Sequence, residues 1–198
     1  MKNTIQAIAL SFLAVLCVGC ESDNTVAEQP NDSNQEVPYQ DKGTLMVVDT
    51  PPALNVDSEL NIGDQMPAYP LPYYESQLID LAMPGEPVLI KFWASWCTSC
   101  KAVEPRYQEY IATLPDNILL YNFSYDYTLD ALRSYTTQNG NTGIYVFDKR
   151  SGSDRLYQAV GLQGFPSVLV IGANGKIIYS GTFVENFVSE ALGIAIGS

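Results

Sequence analysis

The chain has 198 residues, 46% of them hydrophobic, which is enough apolar material for one packed core and too little length for two ordinary domains. Its formal charge of -12, with only 10 Lys and Arg, excludes a nucleic-acid binder that tracks phosphates and repels the chain from anionic lipid, so any membrane attachment is covalent or by insertion. The lack of any His removes the commonest proton shuttle and metal ligand and excludes every triad built on it.

Met1-Lys2-Asn3 is a short, weakly positive start, and residues 5–18 then run apolar apart from Gln6 and Ser11. That run is shorter than the roughly 20 residues a spanning helix needs and has the length of a signal-peptide core. It ends on Leu16-Cys17-Val18-Gly19-Cys20. This segment resembles the lipobox of bacterial lipoproteins, in which a small residue precedes the Cys that is acylated and becomes the mature N-terminus. Cys17 stands where Leu is usual. The resemblance implies a signal peptide over 1–19, lipidation at Cys20, and a place in the bacterial cell envelope, extracytoplasmic (periplasmic) and lipid-anchored. An ordinary secretory signal or an uncleaved anchor, with both Cys incidental, is the other reading. Asn, Gln, Ser, Asp, Glu and Pro dominate the next stretch, which cannot bury enough surface to offset its chain entropy. Residues 20–43 are therefore expected to be a disordered spacer, ahead of a folded domain over 44–198.

Within that domain, Leu45 to Val48 and Leu54 to Ile62 suggest edge strands. Gly85-Glu86-Pro87 is a turn signal before Val88 to Trp93, a nearly continuous apolar run that suits a strand covered on both faces. From Thr98 the pattern turns helical, with Val103, Tyr107, Tyr110, Ile111 and Leu114 on one face. Pro105 should kink that helix and Pro115 end it. A strand is expected over Ile118 to Phe123, a helix capped by Thr128 and stopped by Asn139-Gly140, a strand over Ile144 to Phe147 and a short helix over Asp154 to Val160. Two strands, Ser167 to Ile171 and Lys176 to Ser180, flank Gly172-Ala173-Asn174-Gly175, a hairpin signal, before a last helix over Val184 to Leu192. Helices alternate with strands and a hairpin closes the sheet, so the fold class is α/β, a three-layer α/β/α sandwich with a mixed central sheet.

Trp96-Cys97-Thr98-Ser99-Cys100 falls between the buried strand and the helix. Two Cys at this spacing can close a small disulfide. At a helix start the sulfur of the first faces unpaired N–H groups and the positive end of the helix dipole, which favour thiolate. Thiolate is the nucleophile in exchange, so Cys97 is the expected attacker and Cys100 the resolving thiol. A zinc site would want a second Cys pair or His, and only the signal-region Cys17 and Cys20 remain. No metal and no cofactor is expected. An inert structural disulfide is the bland alternative, although so small a ring would stabilise the fold weakly.

Lys91-Phe92-Trp93-Ala94-Ser95-Trp96-Cys97-Thr98-Ser99-Cys100-Lys101 closely resembles the active-site signature of the thioredoxin superfamily, and Gly164-Phe165-Pro166-Ser167 resembles its cis-proline loop. Ile62-Gly63-Asp64-Gln65-Met66-Pro67 is similar to the opening of the membrane-anchored TlpA/ResA-like branch. Glu104, four residues after Cys100, is placed as in the DsbD C-terminal domain. The resemblance covers roughly residues 60–190 and implies a thioredoxin-like fold with the Pro166 loop against the two sulfurs. It also implies a cis Pro166, and a Phe165 backbone that pairs with an extended substrate strand beside Trp96. Its implied activity is that of a thiol-disulfide oxidoreductase of the reductive kind. The implied partners are disulfide-containing or apocytochrome-type exported proteins and a membrane electron donor. One departure is Lys91, where thioredoxins carry a buried Asp. A buried ammonium there would modulate the thiol pKa toward thiolate and make the pair more oxidising. Alternatively its stem carries it to the surface, as for most strand Lys residues. Two readings outside enzymology are a copper(I) metallochaperone holding the metal on two thiolates and a non-catalytic lipoprotein binding module.

Overall fold

The computed structural model describes residues 45–46, 54, 56, 58–73, 77–139, 142–149 and 155–198. The expected signal peptide, Cys20 and the spacer lie outside these. Among the described residues no helix is long and apolar enough to cross a membrane.

Six strands form a mixed sheet in the order β1-β6-β5-β4-β7-β8. The strand β4 (Val88–Trp93) is central and buried at all six positions, as its unbroken apolar run requires. It pairs in parallel with β5 (Leu119–Ser124) and antiparallel with β7 (Ser167–Ile171), placing Lys91 between Asn122 and Val168. Beyond β5 lie β6 (Ile144–Phe147) and the short edge strand β1 (Leu45–Met46), both parallel. Beyond β7 the hairpin returns as β8 (Ile177–Thr182), the other edge. Gly175 closes the turn with φ 80°, and a Cβ there would run into the Ala82 carbonyl and the Gln65 side chain.

The pleat divides the core. Ile90, Phe92, Tyr121, Phe123 and Leu169 face the short helix α3 (Leu156–Ala159) and a separate two-stranded sheet, β2 (Pro70–Pro72) with β3 (Leu78–Asp80). Leu89, Leu120, Val168 and Val170 face α1 (Thr98–Ile111) and α4 (Glu185–Ile196). Trp93, Tyr145 and Phe147 pack with Leu132 of α2 (Leu129–Asn139) and with both Cys of the pair. The result is the expected three-layer sandwich. The Thr128 hydroxyl accepts the Ala131 N–H and so caps α2 as its sequence suggested. The helix α1 runs on through Pro105, whose ring nitrogen cannot donate to the Lys101 carbonyl.

One expectation needs correction, and one element was not foreseen. No strand occupies residues 58–62, where Gly63 at φ 95° supports a turn and the Leu60 N–H bonds to the Ala159 carbonyl. The β2–β3 sheet was invisible in the sequence, because Pro70 and Pro72 argue against a strand and each is tolerated only in a short edge.

Candidate active site

Cys97 and Cys100 form a disulfide with Cα atoms 5.2 Å apart. Cys97 is the N-cap of α1, at φ -79° and ψ 109°, and its Sγ accepts the Cys100 N–H at 3.1 Å. A sulfur thus fills the role that a Ser or Asp oxygen plays at most helix starts, and it sits where the helix dipole favours negative charge. Both Cys side chains are largely covered, and Trp96 before them is half exposed.

The loop before β7 comes against this pair from 66 residues away in sequence. The Phe165–Pro166 peptide bond is cis. The Ser99 hydroxyl donates to the Phe165 carbonyl at 3.0 Å and lies 3.3 Å from Cys97 Sγ. The Phe165 ring is fixed by Tyr125 and Tyr157, with centroids 5.3 and 4.9 Å away. Trp96 meets Phe165 edge-on at 6.2 Å and stacks on the largely exposed Tyr127 at 5.7 Å. An open groove of about 880 Å³ begins at Ser99, Phe165 and Pro166 and continues past Leu60 and Ile62 to Gly181 on the edge strand β8.

The approach to Cys97 is braced by Asp126, a buried carboxylate after β5. It accepts the Ser95 N–H at 2.9 Å, the Ser95 hydroxyl at 2.6 Å and the Ser124 hydroxyl at 2.7 Å. Three donors satisfy a charge that burial would otherwise make costly.

Lys91 does not reach the surface. Its side chain is 4% exposed, and the ammonium donates to both oxygens of Glu104 at 2.8 and 2.9 Å. The same carboxylate accepts from Gln108 at 2.7 Å, and the Tyr107 ring lies 4.3 Å from the ammonium. Surfacing fails because Lys91 points from a central strand into the layer roofed by α1, too deep for a four-carbon stem to escape. Burial lowers the Lys91 pKa, and the Glu104 charge and hydrogen bond push it back up. Burial, then the Glu104 charge, raise the Tyr107 phenol well above its ordinary range. Glu104 stands one helical turn after Cys100 on α1, so the two share a helix face.

The structure therefore brings together Trp96, Cys97, Cys100, Phe165 and Pro166, with Lys91 one layer deeper. Sequence reasoning missed the roles of Ser99, Asp126 and Tyr127. Nothing in their local pattern distinguishes them from ordinary turn and loop residues. It noted Glu104 without pairing it to Lys91, although a lone cation in an apolar run and a lone carboxylate on the facing helix stripe were signals.

A thioredoxin family model matches residues 73–140. The chain is 30% identical over 115 residues to the thiol:disulfide interchange protein DsbE of Vibrio cholerae, covering 53% of this chain and 60% of that one. It is 28% identical over 132 residues to the protein of the same name from Escherichia coli K12, covering 63% and 66%. The chain thus spans somewhat less than two thirds of the length of these relatives. Among solved structures it is similar to the thioredoxin domain of a thiol-disulfide oxidoreductase from Bacteroides vulgatus, with a TM-score of 0.55 at 18% identity, covering 69% of this chain and 99% of that one.

Proposed function

From the chain's membership of the thioredoxin superfamily, we propose that it is an extracytoplasmic thiol-disulfide oxidoreductase that reduces disulfides in exported proteins. The observation that carries this is the placement of Cys97 Sγ as the cap of α1, within reach of the Ser99 hydroxyl and beside the Phe165–Pro166 loop. A sulfur so placed is stabilised as thiolate by the Cys100 N–H and the helix dipole.

In the dithiol form, Cys97 thiolate attacks one sulfur of a substrate disulfide. A bond between the two proteins forms, the substrate S–S bond breaks, and one substrate sulfur leaves as thiolate. Cys100, once deprotonated, attacks Cys97 Sγ, closes the internal disulfide and expels the second substrate thiolate. Two electrons pass to the substrate; its two thiolates take up the proton released by Cys100 and one from solvent, which replaces the proton Cys97 gave up when it ionised. A dithiol electron donor at the membrane then restores the pair. The neutral net charge of the Lys91–Glu104 pair removes one argument for an oxidising site. Lys91 carries no uncompensated positive charge that would bias the site toward thiolate and a more oxidising potential. The names of the DsbE relatives support thiol–disulfide interchange, and the lipobox resemblance at Cys20 supports a lipid-anchored domain acting on exported cysteines, apocytochromes among them.

Reduction of a protein disulfide such as that of insulin tests this. Cys97→Ser should abolish turnover, and Cys100→Ser should accumulate mixed disulfides with substrate. Full activity in Cys97→Ser, with no trapped species in Cys100→Ser, would defeat the reading.

A further inference from the structure

We propose that Ser99 switches the Phe165 carbonyl between covered and open according to the redox state of Cys97, and so offers it most strongly to a substrate backbone while Cys97 is a thiolate. This rests on the reading of Cys97 as the attacking thiol.

The Ser99 hydroxyl has two acceptors within reach, Phe165 O at 3.0 Å and Cys97 Sγ at 3.3 Å, and only one proton to give. In the disulfide, Cys97 Sγ is a weak acceptor with no proton of its own, so the Ser99 proton rests on the carbonyl. Reduction makes Sγ an anion. Hydrogen bonds to ionised acceptors are about twice as strong as neutral ones. The O–H then turns toward sulfur by rotation about its own Cβ–Oγ bond.

The consequence falls on Phe165. Its ring is pinned by Tyr125 and Tyr157, so its carbonyl cannot swing to a new partner. It is left facing the groove, one side chain away from the reactive sulfur. An extended polypeptide whose disulfide has reached Cys97 runs its amide groups past this point, and one N–H can bond to the freed carbonyl. Attack turns Cys97 Sγ into one half of a disulfide, first with the substrate and then with Cys100, so it reverts to a weak acceptor. The Ser99 proton returns to Phe165 O, competes there with the substrate amide and weakens its bond. The hydroxyl keeps its proton throughout, so the two-electron exchange is unchanged. Binding is thereby favoured in the form that can reduce, and release in the form that already has.

Two measurements on the full chain, as wild type, Ser99→Ala and Ser99→Thr, test this. The first is the pH dependence of Cys97 alkylation in the reduced protein. Loss of the hydroxyl should raise the midpoint by about one pH unit in Ser99→Ala, with Ser99→Thr staying near wild type. Lys91 on β4, Lys101 and Glu104 on α1, Asp126 after β5, Tyr135 on α2 and Tyr145 on β6 are the same in all three proteins, so the difference isolates the hydroxyl. The second is an NMR titration with a ten-residue synthetic peptide carrying Ser in place of its central Cys. Wild type should bind it about three- to tenfold more tightly when reduced than when oxidised, the worth of one net hydrogen bond. Ser99→Ala should erase that ratio by tightening the oxidised form, and Ser99→Thr should keep it. Equal affinity in the two redox forms of wild type, or an unchanged alkylation midpoint in Ser99→Ala, overturns the switch. Both measurements are made without turnover. A failure of the oxidoreductase reading would appear separately, as loss of insulin reduction by wild type.

Discussion

Lys91→Met removes an ammonium and keeps an unbranched stem of similar length. In the wild type that ammonium gives Glu104 two hydrogen bonds, at 2.8 and 2.9 Å, between side chains only 4% and 15% exposed. Solvent screens such a pair little. Breaking a buried pair by removing one partner costs about 3–5 kcal/mol, because the other charge stays behind. Glu104 keeps its bond from Gln108 and a partial view of solvent, which puts the expected loss at the low end, about 3 kcal/mol. In a domain of this size that corresponds to a Tm lower by roughly 6–12 °C. The assay is urea and thermal unfolding at pH 7 of Lys91→Met, Glu104→Met and the double variant. Replacing both partners removes both buried charges, so the double variant should recover most of the loss and give a large coupling energy. A Lys91→Met protein within about 0.5 kcal/mol of wild type, or a double variant as unstable as the sum of the singles, would refute a buried, mutually dependent pair.

Other outcomes follow from the same geometry. Asp126→Ala deprives the Ser95 N–H and two hydroxyls of their acceptor; it should lower stability by about 2–3 kcal/mol and slow disulfide reduction, and a variant as stable and active as wild type would show that the brace is idle. Burial raises the phenols of Tyr107, Tyr125 and Tyr145 above the ordinary 10.0. Above about pH 10 the unfolded chain releases protons that the folded chain keeps, so their contribution is whole below that pH and lost as pH rises beyond it. Lys91 works in the opposite sense. Its folded pKa lies below 10.5, so between that value and 10.5 the unfolded chain holds more protons and stability rises with pH. Titration with base, followed at 295 nm and by circular dichroism, should show the buried tyrosinates appearing only with unfolding; full ionisation of a still-folded protein would contradict their burial.

Much of this protein was written in local pattern. The unbroken run Val88–Trp93, the helical stripe after Thr98, the Thr128 cap and the Gly172–Gly175 turn each act over a few residues, so each was legible in isolation. Cys97 and Cys100 were legible for the same reason, since three residues at a strand-to-helix junction set both their spacing and the dipole they feel. The β2–β3 sheet was not, because Pro70 and Pro72 oppose a strand locally and only packing of Tyr69, Leu71 and Leu81 on the main sheet supports one. Lys91 shows the limit most sharply. Its local sequence favours the surface, as for most strand Lys residues, and the interior is decided by Glu104, which is brought over it when α1 docks on the sheet. Ser99 is likewise an unremarkable hydroxyl until the chain folds Phe165 back across 66 residues to meet it. The sequence by itself determined the Cys97–Cys100 pair and the elements that present it. Only the tertiary structure decided which groups surround that pair, because those contacts join segments far apart in the chain and form when the layers close.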